Sequence, residues 1–319
     1  MSSVTRVPQT ATLDSSLTGR HSPWQTARTA GVRDLLTQSF VRFRYGDGFS
    51  HARALALQLS LAIIPLVIAF VGLGSTLGTS KAGDTLRRTL LGLTPGSSGD
   101  AVSASLSRPD HGAGGTVALY AGLVTALLAL TTAMGQVERG SNRIYGIRRD
   151  NPGAVKYGRA VLLSFIGGIP ALLGFLVVIA GGALADAVQV VYGSGRTTVL
   201  VLRWPVGVLL MLVSLLVLIA RAPRRTQPGR QWLAVGAVVA LALWLGFSVL
   251  LATYLHSSSS FGSVYGPLTG VMALLLWSQL TAIALLFGIA VGAQVEALHG
   301  GVTRGAATDP ELFSGSPTL

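Results

Sequence analysis

Six long apolar stretches divide the chain, at about 54–78, 113–134, 160–184, 199–220, 231–252 and 267–292. Each reaches the roughly 20 residues that a helix needs to cross a hydrocarbon core. None carries Asp, Glu, Lys or His in its middle. Arg203 stands near the start of the fourth, beside Trp204 and Pro205, where an interfacial anchor belongs. Backbone polar groups inside lipid must bond within their own segment, which favours helices. A barrel would alternate polar and apolar residues over about ten positions, and these runs do not. The pattern predicts an all-α, polytopic integral membrane protein with six transmembrane helices.

The segments between the spans are shorter and differ in character. Residues 1–31 are Ser/Thr-rich and aperiodic, which predicts a disordered tail, and 301–319 read the same way. The membrane domain is then 32–300. In "VRDLLTQSFVRFR", Leu36, Phe40 and Phe43 share one helical face with Arg42 and Arg44 off it. This suits an interfacial helix at 32–45, and equally a frayed lead-in to the first span. The first outer loop, 79–112, holds two amphipathic pieces joined by Thr94-Pro95-Gly96, a small helical hairpin by this pattern.

Charge orients the array. Of 24 Lys and Arg residues, Arg203 lies within a span, and the others divide 18 to 5 between the two sides. The richer side holds the N-terminal part to Arg53, the loops after spans two and four, and the C-terminal tail. Positive loops stay inside, so both termini are expected in the cytoplasm. The net charge of +12 is therefore a topological signal and a match to anionic membrane lipids, and nucleic acid is not an expected partner. Only 11% of the residues are charged, and mean hydropathy is +0.60, both far from a soluble domain. The absence of Cys excludes disulfides and thiolate metal sites.

The polar residues inside the spans are neutral: Gln58, Ser60, Thr125, Thr131, Thr132, Ser164, Ser214, Gln279 and Thr281. They can line a cavity, with Gln58, Ser60, Thr131, Thr132, Gln279 and Thr281 the leading set, or simply bond between helices. Pro65, Pro170 and Pro205 each remove a backbone donor and are expected to kink their helices. Gly262, Gly266 and Gly270 repeat every four residues, as do Gly288 and Gly292, a spacing that lets helix backbones approach closely.

Charge gathers instead where the second span runs out, in "ERGSNRIYGIRR" at 138–149. Glu138, Asn142, Tyr145 and Arg149 fall on one helical face, with Arg139 and Arg143 off it. Gln294 and Glu296, at the end of the sixth span, belong at the same depth. These six form a candidate polar cluster, either a lock between helix ends or a gate.

These motifs resemble those of the YihY/BrkB family of bacterial inner-membrane proteins. "ExxxNxIYGIRR" is similar to its signature after the second span. "YGPLTGVMALLLWSQLTAIALLFGIAVGAQVEAL" is similar to its last span, and "ALALQLSLAIIP" to its first. The resemblance covers roughly 33–298. The chain departs from the family pattern at Gln58, where an aromatic is usual. It departs again at Gly292-Ala293-Gln294-Val295-Glu296, where Gly-Ala-Glu-x-Asn is usual.

The resemblance implies a multi-pass inner-membrane location. It also brings an old label, ribonuclease BN, and proposals of transport of lipid-linked envelope precursors. His21, His51, His111, His256 and His299 are scattered without metal-ligand spacing, and no nucleophile elbow or phosphate loop is present. No cofactor, metal or enzyme activity is therefore expected. Transport or flipping of a lipid or other amphiphile is the leading reading. A membrane scaffold for envelope assembly is the alternative, and a homo-oligomer is compatible with either.

Overall fold

The computed structural model describes residues 5–10, 22–76, 113–147, 153–192, 194–257 and 264–308. The hairpin expected within 79–112, Arg149 and Gly262 lie outside the described residues. A two-residue strand β1 (Thr5–Arg6) precedes helices α1 (Pro23–Thr29) and α2 (Val32–Tyr45). Next come α3 (Gly48–Thr76), α4 (Ala113–Ile144), α5 (Gly153–Ile166), α6 (Gly168–Tyr192), α7 (Arg196–Arg221) and α8 (Arg230–Ser257). A single 3₁₀ turn, Gly266–Leu268, leads into α9 (Thr269–His299), and β2 (Ala307–Thr308) closes the order.

Among the described residues, six segments are long and apolar enough to cross a membrane: Gly48–Ala69, Gly115–Ile144, Gly153–Val178, Arg196–Arg221, Arg230–Ser257 and Thr269–His299. They coincide with the six predicted spans. The chain is an all-α, multi-pass membrane protein. Leu61, Ile64, Leu128, Leu209 and Leu250 are among many large apolar side chains left on the outside, as contact with lipid rather than water requires.

The third span is two helices. Pro170 has no N–H to give the carbonyl of Ile166, so the ladder fails one turn before it, at Gly167. Beside the break, the Gly167 carbonyl accepts from the Ser214 hydroxyl of α7 at 2.7 Å as well as from the Ala171 N–H at 3.4 Å. By contrast, α3 continues as helix through Pro65 and α7 through Pro205.

Helices α3 and α4, α6 and α7, and α8 and α9 pack as antiparallel pairs. The seams are lined by glycine. A Cβ on Gly236 would come within 2.7 Å of the Gly288 carbonyl oxygen, and one on Gly174 within 2.9 Å of the Gly207 carbonyl oxygen. Gly288 and Gly292 therefore serve close approach, as their spacing suggests. Gly266 does not: it sits in the 3₁₀ turn at φ 49° with open space around it. Helix α9 is the centre of the bundle, with half of its span buried. Midway along it, Trp277 stacks near Phe175 of α6 and Trp244 of α8, and its indole N–H reaches Ser248 at 3.3 Å.

At roughly 1.5 Å per residue, 31–32 residues make α4 and α9 about 46–48 Å long. A hydrocarbon core of about 30 Å cannot cover them. Their last turns, Glu138 to Ile144 and Gln294 to His299, extend past the core at the end of the bundle that carries both termini.

That end is more ordered than the aperiodic tails predict. Thr5 and Arg6 pair antiparallel with Thr308 and Ala307. Pro23 starts α1 at its first position, where a missing N–H costs nothing, and the Gln25 side chain accepts from the Ser22 N–H. Helix α2 also turns differently from expectation. It buries Leu35, Ser39, Arg42 and Phe43, and leaves Leu36 and Phe40 outward. Two apolar stripes overlap on this helix, and the one containing Arg42 packs against α9 because Arg42 finds acceptors there.

Candidate functional site

Of the six predicted residues, Tyr145 and Glu296 bond each other, Asn142 and Gln294 bond neighbouring segments, and Arg149 lies outside the described residues. Glu138, Asn142, Tyr145, Gln294 and Glu296 are each at most 1% exposed. The last turns of α4 and α9 bring them to one level, with α2 and the 222–229 loop closing around them. The Tyr145 hydroxyl donates to Glu296 Oε1 at 3.1 Å. Arg225 pairs with Glu296 Oε2 at 2.8 Å, and its guanidinium lies 4.6 Å from the centre of the Tyr145 ring. Asn142 Oδ1 accepts the Arg224 backbone N–H at 2.8 Å. One phenol and one amide thus anchor a loop that has no helix of its own.

A second set of bonds ties in both tails. Arg42 is fully buried. Its Nε donates to Gln294 Oε1 at 2.9 Å, and its Nη1 donates to Thr10 Oγ1 at 2.8 Å and the Ile144 carbonyl at 3.2 Å. Gln294 Nε2 in turn donates to the Thr303 carbonyl at 3.0 Å. This explains the chain's departure from the family-like pattern at this position. An amide can accept from Arg42 and donate to Thr303, whereas a carboxylate could only accept. The carboxylate stands instead at Glu296, facing Arg225.

Arg225 pairs with Glu296, and Arg42 lies within the field of Tyr145 and Glu296. Burial lowers the Arg42 pKa to about 10, with Tyr145 and Glu296 opposing the shift, so the guanidinium stays charged at neutral pH. Burial, and then the neighbouring Glu296 carboxylate, hold the Tyr145 phenol well above its ordinary value, which keeps it a donor.

The expected cavity is only partly where the neutral polar residues suggest. Gln58, Thr131 and Thr132 line a cavity of about 120 Å³ that opens toward Arg139, Lys156 and Tyr157. Gln58 and Thr132 also line a wider groove of about 490 Å³ between α3 and α4, with Leu61, Ile64, Pro65, Thr125 and Leu128. Ser60 is not part of either: its hydroxyl bonds the Ala56 carbonyl of its own helix. Gln279 and Thr281 lie on α9 and line neither. A Ser hydroxyl on a buried helix satisfies itself by back-bonding, so its polarity alone does not mark a cavity.

Arg42, Arg225, Thr10, Arg139 and Lys156 are the functional candidates that spacing did not bring out. The signal for Arg42 was its register with Leu35 and Ser39. Arg225 sits in a loop, where helical periodicity has no voice. Among the described residues, no three His, Asp or Glu side chains gather where they could hold a metal.

The virulence factor BrkB family model matches residues 39–310. The chain belongs to this family. The BrkB-family match takes in both the cluster on α2, α4 and α9 and the α3–α4 groove. The chain is 22% identical over 256 residues to the putative ribonuclease-like protein YfkH of Bacillus subtilis (strain 168), covering 79% of this chain and 92% of that one. It is 26% identical over 260 residues to the UPF0761 membrane protein RC1_0578 of Rhodospirillum centenum (strain ATCC 51521 / SW). That match covers 79% of this BrkB-family chain and 55% of the relative's length. No solved structure matches.

Proposed function

We propose that this BrkB-family protein lies in the bacterial inner membrane with both termini in the cytoplasm, and moves an amphiphile of the cell envelope between lipid and the bundle. One observation carries the reading. Gln58 and Thr132 belong to both cavities, so a single path leads from a lipid-facing apolar groove to a polar, basic end. An amphiphile matches that gradient, with its chain against Leu61, Ile64 and Leu128 and its head beside Gln58. The charge asymmetry of 18 to 5 supports the orientation. Catalysis is not part of the proposal, and membrane lipids are the partners.

The buried cluster then acts as a lock that keeps the end of the bundle closed, and no substrate passes through it. The test is reconstitution in vesicles carrying a fluorescent lipid, with translocation followed by quenching from one side. Thr132→Trp fills the junction of the two cavities and is expected to abolish translocation while the protein stays monodisperse. A scaffold would show no protein-dependent translocation, or none sensitive to the plug, and either result overturns the transport reading.

A further inference from the structure

The small cavity adjoining the groove is lined by two cations, Arg139 and Lys156. Arg139 on α4 is half-buried and is held through Nε on the Gly135 carbonyl at 3.3 Å. Lys156 on α5 is half-buried on the other side of the same cavity. The ion pairs Arg196–Asp186 and Arg225–Glu296 involve neither of these two cations. An anion in this one small cavity would meet both positive charges.

The space between them is kept open. A Cβ on Gly135 would meet nothing nearer than Lys156 Cε at 4.0 Å. The buried amide oxygen of Gln58 has no hydrogen-bond partner, so an amide flip would turn a second kind of donor into the cavity at no cost to existing bonds. Tyr157 adds a hydroxyl at the mouth. A guanidinium, an ammonium, an amide and a phenol around one point match a group with several oxygens better than a carboxylate with two.

We propose that the amphiphile is a phosphate-bearing lipid. Its phosphate sits between Arg139 and Lys156, and its acyl chain lies in the α3–α4 groove past Pro65. This rests on the amphiphile reading above and names its substrate class. A free anion would fill only the cavity of about 120 Å³ and leave the adjoining apolar groove of about 490 Å³ unused. The groove is walled by Leu61, Ile64 and Leu128, which are 54%, 58% and 63% exposed and so face the bilayer that supplies such a lipid.

The experiment is native mass spectrometry of the intact protein titrated with dioleoyl phosphatidic acid, with dioleoylglycerol, or with inorganic phosphate. Phosphatidic acid is expected to bind at least about tenfold more tightly than dioleoylglycerol, which has the same chains and no phosphate. Arg139→Gln with Lys156→Gln should remove that preference. Gly135→Leu should remove binding while both charges remain. Arg53→Gln, which removes an exposed charge from the same end of the bundle, should change nothing. Equal binding of the two lipids would overturn the proposal, as would a double variant that keeps the preference. Inorganic phosphate binding as tightly as the lipid would make this a site for a soluble anion and would also overturn it. The translocation assay separates the two readings. Lost phosphate preference with plug-sensitive translocation removes only the substrate class. Intact preference without translocation removes only transport.

Discussion

Replacing Glu296 with Gln tests how the cluster holds the bundle end. The Arg225 and Glu296 side chains are 6% and 0% exposed, at 2.8 Å. An exposed pair would be worth about 0–1 kcal/mol. Breaking a buried pair from one side strands the other charge and costs about 3–5 kcal/mol. Glu296→Gln keeps shape and a hydrogen-bond acceptor for Tyr145, so the lost charge is the main change. Arg225 would retain its contact with the Tyr145 ring at 4.6 Å, worth about 0.5–2 kcal/mol, which places the expected loss toward the lower half of the range. At about 2–4 °C per kcal/mol, a loss of about 3–4 kcal/mol lowers Tm by roughly 6–16 °C. The assay is thermal unfolding of detergent-solubilised protein by size-exclusion profile. Adding Arg225→Met to Glu296→Gln should recover much of the loss, because no buried charge is then stranded. A shift no larger than a surface pair gives, or a double variant no better than the single, would refute the argument.

Further outcomes follow from the same geometry. Gly236→Ala should cost about 1–3 kcal/mol, since its Cβ meets backbone on α9, whereas Gly135→Ala should be neutral or stabilising; thermal unfolding compares them. In intact cells, Cys at Ser194 or Ser257 should label with an impermeant reagent, and Cys at Thr226 only after permeabilisation; the reverse would invert the orientation. Tyr145 has a raised folded pKa, so its contribution to stability is constant below about pH 10 and declines as pH rises through the higher folded value. Tyr145→Phe should flatten the alkaline limb of a Tm-against-pH profile and leave its slope between pH 6 and 9 unchanged.

The spans were legible because hydrophobic runs of this length have one stable solution in lipid. The shared face of Glu138, Asn142 and Tyr145 was legible too, because helical spacing continues past the apolar run. Arg42 was not: Leu36 and Phe40 offer an equally good stripe, and only tertiary acceptors on Gln294 and Ile144 decide between the two. Arg225 and Thr10 enter from irregular segments, whose positions no period encodes. Ser60 read as a cavity residue but spends its hydroxyl on the Ala56 carbonyl, as Ser164 does on that of Ala160. Conversely, Arg139 read as a residue off the working face, yet it lines the small cavity that adjoins the groove.

The closure around Arg42 joins residues made at opposite ends of synthesis. Its bond to Gln294 spans 252 residues, so at roughly 5–20 residues per second about 13–50 s separate the two partners on the ribosome. Thr10 and α2 emerge before α9, and Thr303 and β2 after Gln294. Throughout that interval Arg42 has no partner from α9 and must stay hydrated at the membrane surface. Until α9 is made, that end of the bundle stays charged and open, so the closure can form only after the sixth span.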